Sequence, residues 1–389
     1  KGSDEKLPVI FRFGLSHFLE DGRDIDEGLE IAKRLEKAGV DAFHIDAGCY
    51  ETHYWVHPPT TQPPGCTLGL AKMVKDIVKV PVIAVGKLGY PDLAEQVLVE
   101  GKADFIALGR PLLADPEWAN KVSRKQFDDI RPCIGCHEGC LRNLFEHKPV
   151  GCAVNPITGR ETEVSIKRAQ KSKSILIVGG GPCGMEGAMI AKKRGHKVTL
   201  WEKNQTLGGN LIPASVPDFK QDYARLLNYY ISQLYKLGVS IELGKEATDE
   251  LISDFKPDVA IIATGAIPVL PQVTIAESLD KITAIDVLMG TKEISGRIVI
   301  VGGGLIGCET ALYLAQKGED VQIVEVLNTV ASNMQMVNRS HILKLLTNLK
   351  VDIITGVKIY EIAENSLIVV DSYNELKSII ADTIIFASG

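Results

Sequence analysis

The sequence predicts an α/β protein in three parts: the C-terminal half of a (β/α)8 barrel, a cysteine-rich loop segment, and two Rossmann-like dinucleotide folds in tandem. Three observations carry that prediction. Strands alternate with helices four times before residue 110, the pattern of a parallel sheet covered on both faces. Cys133, Cys136, Cys140 and Cys152 form a Cys-x2-Cys-x3-Cys-x11-Cys array. After the array, a strand, glycine turn, helix, strand and acid occur twice at one constant offset, the mark of an internal repeat.

Composition narrows the function classes. The 389 residues are 45% apolar and 24% charged, ordinary for a globular protein with room for two or three cores. A formal charge of −6 offers no electrostatic ground for a nucleic-acid or anionic-membrane partner. No apolar run reaches the ~18 residues of a membrane-spanning helix, and no signal peptide precedes Leu7. Half of the eight cysteines cluster at ligand spacing, which fits a reducing cytoplasm better than a secreted disulfide framework. The chain starts without methionine and stops on Ala387-Ser388-Gly389, directly after an expected strand. It is therefore expected to be a piece of a longer protein.

Residues 7–13 are β-rich, and residues 25–38 have helical periodicity that ends at Gly39. Further strands are expected at 42–47, 80–85 and 105–108, with helices at 68–78 and 93–100. Four βα units cannot close a sheet of this kind, so the economical reading is the second half of an eight-stranded barrel. Barrels keep their chemistry at the C-terminal strand ends. Gly86 and Lys87 end one late strand, and Gly109 and Arg110 end the next. Glycine allows close backbone approach and the cation supplies charge, so these four are candidates for holding a phosphate. The alternative is a pair of ordinary turns with solvated cations. Arg12 interrupts an apolar strand and needs an anionic partner. That partner is either a structural carboxylate at the barrel mouth or the electron-rich N1/O2 edge of a reduced flavin. The loop 48–55 carries Tyr50 and His53 as candidate proton donors, against the plainer role of packed loop residues.

Zinc is one reading of the cysteine array, but zinc sites usually show two Cys-x2-Cys knuckles. Three close cysteines and one remote are the usual arrangement around an iron–sulfur cluster. Gly135 and Gly139 make a loop between them that can fold round a cuboidal centre, which favours [4Fe-4S]. Cys49, Cys66, Cys183 and Cys308 stand outside the array, and no metal is assigned to them.

A basic linker at 167–174 leads into an apolar strand, then Gly179, Gly181 and Gly184, a helix to residue 194, and a strand ending in Glu202. This context turns a weak GxGxxG match into a strong one. The glycines let the backbone approach a pyrophosphate at a helix N-terminus, and Glu202 can accept from a ribose. Gly302, Gly304, Gly307 and Glu325 repeat those four residues 123 positions on. The run 258–265, ending Ala-Thr-Gly, recurs as 382–389, ending Ala-Ser-Gly. Tandem folds of this type describe the two-dinucleotide flavoprotein reductases, one unit for FAD and one for NAD(P)H; the alternative is an inactive relic of duplication. Glu325 pairs with a free ribose 2′-OH and repels a 2′-phosphate, and Val326, Leu327 and Asn328 offer no cation. NADH is therefore expected over NADPH.

These residues carry a resemblance. Gly-Arg-Pro-Leu-Leu-Ala-Asp-Pro (109–116), Arg-Pro-Cys-Ile-Gly-Cys (131–136), Cys-Ala-Val-Asn-Pro (152–156) and Gly-Gly-Gly-Leu-Ile-Gly-Cys-Glu-Thr-Ala (302–311) are together highly specific. The chain resembles the 2,4-dienoyl-CoA reductase, 2-enoate reductase and bile-acid NADH:flavin oxidoreductase family. Its members join an old yellow enzyme-type barrel through an iron–sulfur segment to a two-dinucleotide module. The resemblance covers essentially the whole chain and implies a division into 1–125, the second half of an FMN-binding TIM barrel; 126–170, the [4Fe-4S] segment; 171–292, the first part of an FAD domain; and 293–389, an NAD(H) domain. It implies Arg12 at the FMN pyrimidine edge and Gly86, Lys87, Gly109 and Arg110 at its phosphate. Gly209, Asn210, Ala263, Thr264 and Gly265 would line FAD. The expected activity is reduction of an activated alkene, a small-molecule substrate, with electrons passing from NADH through FAD, cluster and FMN. Two rivals stand beside it: an amine dehydrogenase of the trimethylamine dehydrogenase type, and a non-catalytic electron-transfer fragment.

Overall fold

In the computed structural model, which describes residues 7–277 and 279–387, the expected alternation folds as a four-stranded parallel sheet. Strands β1 (Ile10–Gly14), β2 (Ala42–Asp46), β3 (Val82–Ala84) and β4 (Phe105–Ile106) lie side by side in chain order. Helices α1 (Ile25–Lys37), α2 (His53–Val56), α3 (Leu68–Lys75) and α4 (Pro91–Val99) connect them. The start of α1 is set by Asp24, whose side chain accepts from the Glu27 backbone N–H at 2.8 Å. Acids in its first turn and bases in its last complement the helix dipole.

One face of the sheet is apolar. Phe43, Ile45, Val82 and Ala84 pack on Ala32, Ala71 and Val74 of the helices, all fully buried. Each such large apolar side chain contributes about 1.5–3 kcal/mol. Side chains alternate along a strand, and β1 pairs with β2 so that Arg12 stands opposite His44. Arg12, His44 and Asp46 therefore share the other face. The outer strands keep apolar residues in the open: Val9, Ile10 and Phe11 on one side and Phe105 on the other are exposed.

Short helices α5 (Arg110–Ala114), α6 (Trp118–Ser123) and α7 (Leu141–Phe145) follow. The cysteine loops belong to the same compact unit as the sheet, a unit that ends at Glu163.

The second unit begins at Val164 and shows the repeat as structure. Strand β5 (Ser174–Val178), helix α8 (Pro182–Lys193) and strand β6 (Lys197–Glu202) come first. They are followed by α9 (Leu211–Ala214), α10 (Gln221–Lys236), β7 (Ser240–Leu243), α11 (Asp249–Phe255) and β8 (Val259–Ile262). The parallel sheet runs β7-β6-β5-β8. Beyond β9 (Thr274–Ile275), β10 (Ile282–Thr283) and α12 (Ala284–Met289), the pattern returns. It does so as β11 (Arg297–Val301), α13 (Leu305–Gln316) and β12 (Asp320–Val324). Then come α14 (Met336–Asn348), β13 (Asp352–Ile354), β14 (Lys358–Ala363), β15 (Ser366–Val370), β16 (Leu376–Ile380) and β17 (Thr383–Phe386). The second parallel sheet runs β10-β17-β11-β12-β13. Strands β5 and β11 hold the same central place, between β8 and β6 in one sheet and between β17 and β12 in the other. The last two residues of the Ala-Ser-Gly repeat, Ser388 and Gly389, lie outside the described residues.

Beyond the expected elements, β14, β15 and β16 form a β-meander, with β9 added in parallel. Alternate residues of β15 are buried, so a period-two pattern was present to be read.

Candidate functional site

Parallel pairing brings the C-terminal ends of β1 to β4 to one edge. There Arg12 and Asp46 form an ion pair, and Asp46, 5% exposed, also accepts from the Ala47 N–H at 2.9 Å. Arg12 thus has the structural carboxylate that was one of its two expected partners. Its guanidinium stays half-exposed at the mouth.

Gly86 has a φ of +112°, and a Cβ there would overlap the Thr67 hydroxyl, so only glycine fits this turn. Lys87 donates to the carbonyls of Thr60 at 3.1 Å and Gln62 at 2.7 Å. Arg110 donates to the Pro58 carbonyl at 2.7 Å and to Nε2 of His137. Both expected phosphate cations thus meet on one loop, 58–62. Open space faces the Cβ position of Gly109. Their fields reach Cys66, whose thiol burial pushes up to about 11 while Lys87 and Arg110 pull against it. Cys66, His44 and His57 were missed as members of this mouth. No local pattern marks them, because strand register and a loop bring them in.

His57 is pushed down to about 4, first by burial and then by Arg110, His53 and Arg12. His53 packs 4.8 Å from the His57 ring, 5.5 Å from Phe145 and 5.9 Å from Tyr50. Burial lowers its pKa below 6.5. Tyr50 is 88% exposed.

Cys133, Cys136, Cys140 and Cys152 face one cavity, together with Arg110, Leu113, His137 and Val154. The cavity is clasped from outside. Asp115 accepts from Lys121 at 2.6 Å and from the Arg131 N–H at 2.8 Å, and Arg131 donates onward to the Val154 carbonyl. Asn155 and Thr158 hold the remote cysteine's segment on the Leu113 carbonyl at 3.0 and 2.7 Å. Cys136 is pushed up to about 12 by burial, and the other three thiols add to that push, so the four sulfurs feel one another. Among the described residues no three His, Cys, Asp or Glu groups gather closely enough to hold a single ion. Tetrahedral zinc would draw four sulfurs to about 3.8 Å apart, from Zn–S bonds near 2.3 Å.

The two glycine turns are near copies. Gly179 and Gly302 take φ of +108° and +106°. A Cβ on Gly184 would overlap the Gly179 carbonyl oxygen, and one on Gly307 would overlap that of Gly302. Gly181 and Gly304 face open space instead, the position from which a backbone approaches a pyrophosphate. Glu202 accepts from the N–H groups of Gly180 at 2.7 Å and Asn204 at 2.8 Å, and from the Asn204 amide at 2.8 Å. Glu325 accepts from the N–H groups of Gly303 at 2.6 Å and Leu327 at 2.8 Å. Each carboxylate therefore braces its own turn. The Ala263 carbonyl crowds Gly179, bringing residues 263–265 to the first turn. A Cβ on Gly209 would lie 3.2 Å from Gly181 Cα, and the Asn210 amide reaches the Ala266 carbonyl at 3.4 Å.

The chain thus presents a dinucleotide cradle twice, and a βα sheet with cationic strand ends. Residues 1–129 match the NADH:flavin oxidoreductase / NADH oxidase family, residues 174–260 the FAD dependent oxidoreductases and residues 233–389 the pyridine nucleotide-disulphide oxidoreductases. A cinnamate reductase of Clostridium sporogenes is 45% identical over 345 residues, 85% of this chain and 51% of that protein. An NADH oxidase of Thermoanaerobacter brockii is 39% identical over 99% of this chain and 60% of its own length. A solved 2-naphthoyl-CoA reductase superposes with a TM-score of 0.92 at 32% identity, over 98% of this chain and 58% of that one. Residues 1–129 thus belong to the NADH:flavin oxidoreductase / NADH oxidase family. The chain spans about half to three-fifths of the length of these relatives. Among the described residues no helix is long and apolar enough to cross a membrane.

Proposed function

We propose that the protein containing this chain is an NADH-dependent flavoprotein reductase of activated C=C bonds, acting on a small enoate, enoyl-CoA or enone. The observation that carries the reading is the four-thiol cavity and the cationic strand-end mouth meeting at Arg110. The name of the 45% identical relative, cinnamate reductase, supports the substrate class.

Cys133, Cys136, Cys140 and Cys152 hold a [4Fe-4S] cluster. Four thiols on one cavity, three of them close in sequence and one remote, suit it. Gly86, Lys87, Gly109 and Arg110 would hold the FMN phosphate, and Arg12, paired with Asp46, would supply the positive charge for the flavin's N1/O2 edge. Gly179, Gly181, Gly184, Glu202, Gly209, Asn210, Ala263, Thr264 and Gly265 hold FAD. Gly302, Gly304, Gly307 and Glu325 hold NADH. These groups would supply hydride and one-electron transfer when bound.

The chain's own task at the substrate is to exclude water and deliver a proton. His53 is the better donor, because Tyr50 stands largely in solvent. Its lowered pKa means that turnover carried by protonated His53 rises only as pH falls below 6.5. His53→Ala should lower enoate reduction by about 10²-fold with FMN retained; unchanged turnover with full FMN would end that assignment.

The functional test is anaerobic reduction of the full-length protein. NADH should bleach the flavins, and the bleached enzyme should be reoxidised by cinnamate-type enoates. Bleaching by a methylated amine and not by NADH would replace this reading with an amine dehydrogenase.

A further inference from the structure

The last strand end and the cysteine cavity share one side chain. Arg110 opens α5, donates to the Pro58 carbonyl at 2.7 Å, contacts Nε2 of His137, and lines the cavity of the four cysteines. His137 lines the same cavity, is 1% exposed, and adopts a φ of +62°, a conformation uncommon outside glycine. Because the guanidinium can only donate, Nε2 accepts, and the neutral ring carries its proton on Nδ1. His137 thus adds no charge; it orients one. The guanidinium stays protonated at every accessible pH, so its field on the cavity is permanent.

We propose that Arg110, held in position by His137, is the fixed cation that sets the reduction potential of the centre bound by the four cysteines. The proposal rests on the iron–sulfur reading. Taking up one electron makes that centre more negative by one charge, with no bond or proton changed in the chain, and a nearby cation favours the reduced form. Arg110 would serve the strand-end phosphate and the cavity together. His137 acts only through Arg110 and is a positioning residue.

The test is a potentiometric titration of the iron-loaded full-length protein, following the electron paramagnetic resonance of the reduced centre. Iron, sulfide and flavin are counted in every sample. Arg110→Gln should move the reduced-to-oxidised ratio at fixed potential about tenfold toward oxidised, a midpoint lower by ~59 mV for one electron. A unit charge about 10 Å away at an effective dielectric near 20 has that order of effect. Arg110→Lys keeps the charge and should stay near wild type. His137→Ala removes only the anchor and should shift the midpoint the same way by less, with His137→Gln recovering part of it. Wild-type midpoints in both Arg110→Gln and His137→Ala, at full iron and sulfide, overturn the proposal. If Arg110→Gln loses its iron, His137→Ala decides alone: a displaced midpoint supports the proposal and a wild-type midpoint overturns it. Wild-type protein without iron and sulfide would overturn the iron–sulfur reading itself, before any variant is compared.

Discussion

The two glycine cradles share a fold but not a bracing. Both put a positive-φ glycine first, an open glycine second and a glycine packed on a carbonyl third. Both tie the closing carboxylate to the turn. Glu202, however, takes three N–H donors, one of them from the Asn204 side chain, where Glu325 takes two. The position matching Asn204 is Leu327, 52% exposed. On the proposed roles, the extra donor belongs to the FAD turn and is missing from the NADH turn. Duplication copied the turn, and the bracing differs at the residue two places past the acid, Asn204 in one cradle and Leu327 in the other.

Crowding gives the largest expected effect. Gly184→Ala and Gly307→Ala each drive a Cβ into a carbonyl oxygen and should cost about 1–3 kcal/mol in local stability. Gly184→Ala should purify with its FAD depleted. Gly307→Ala should keep FAD and lose reduction by NADH, read by absorbance during anaerobic titration. At the open positions, Gly181→Ala and Gly304→Ala should leave thermal unfolding unchanged and weaken only the nucleotide. If the two packed-glycine variants lose the same nucleotide, the division of roles fails.

The acids come next. Glu325→Gln should lower the NADH-over-NADPH ratio of kcat/KM about tenfold, the order of one unpaired charge, while Glu202→Gln leaves that ratio alone. An equal change in both variants would contradict the difference drawn from Asn204.

The last comparison of the two units runs through pH. His57 in the first and His341 in the second are both pushed down to about 4, chiefly by burial. A histidine whose folded pKa lies below its unfolded value binds fewer protons when folded, so stability rises with pH between about 4 and 6.5. Each should contribute at most about 1.4 kcal/mol per pH unit across that window. His341→Phe should flatten the dependence for the second unit, measured by denaturant midpoint at pH 5 and pH 7.

The repeat was the most legible feature, because it is written locally. Turn glycines, strand alternation and a closing acid sit within about 30 residues of one another, and the structure reproduces β5, α8 and β6 as β11, α13 and β12 with equal lengths except at β12's last residue. The βα units of the first sheet were legible for the same reason. Arg12's need for an anion could be read, but Asp46 could not be named as its partner, because the pair depends on the β1–β2 register across 34 residues. Lys87 and Arg110 were readable as strand-end cations, but their convergence on loop 58–62 was not. Nor was His137 as a brace for Arg110: a histidine between two cysteines reads first as a neighbour or ligand, and only the folded loop brings its Nε2 to Arg110.

On the proposed reading, one chain carries both nucleotide cradles and a redox centre held by Cys133, Cys136, Cys140 and Cys152. The most direct test of that reading is composition: metal and acid-labile sulfide per full-length chain, purified anaerobically. About four irons and four sulfides per chain, falling when any one of these cysteines becomes serine, is the expected result. Zinc bound in place of iron, with no sulfide, would contradict it.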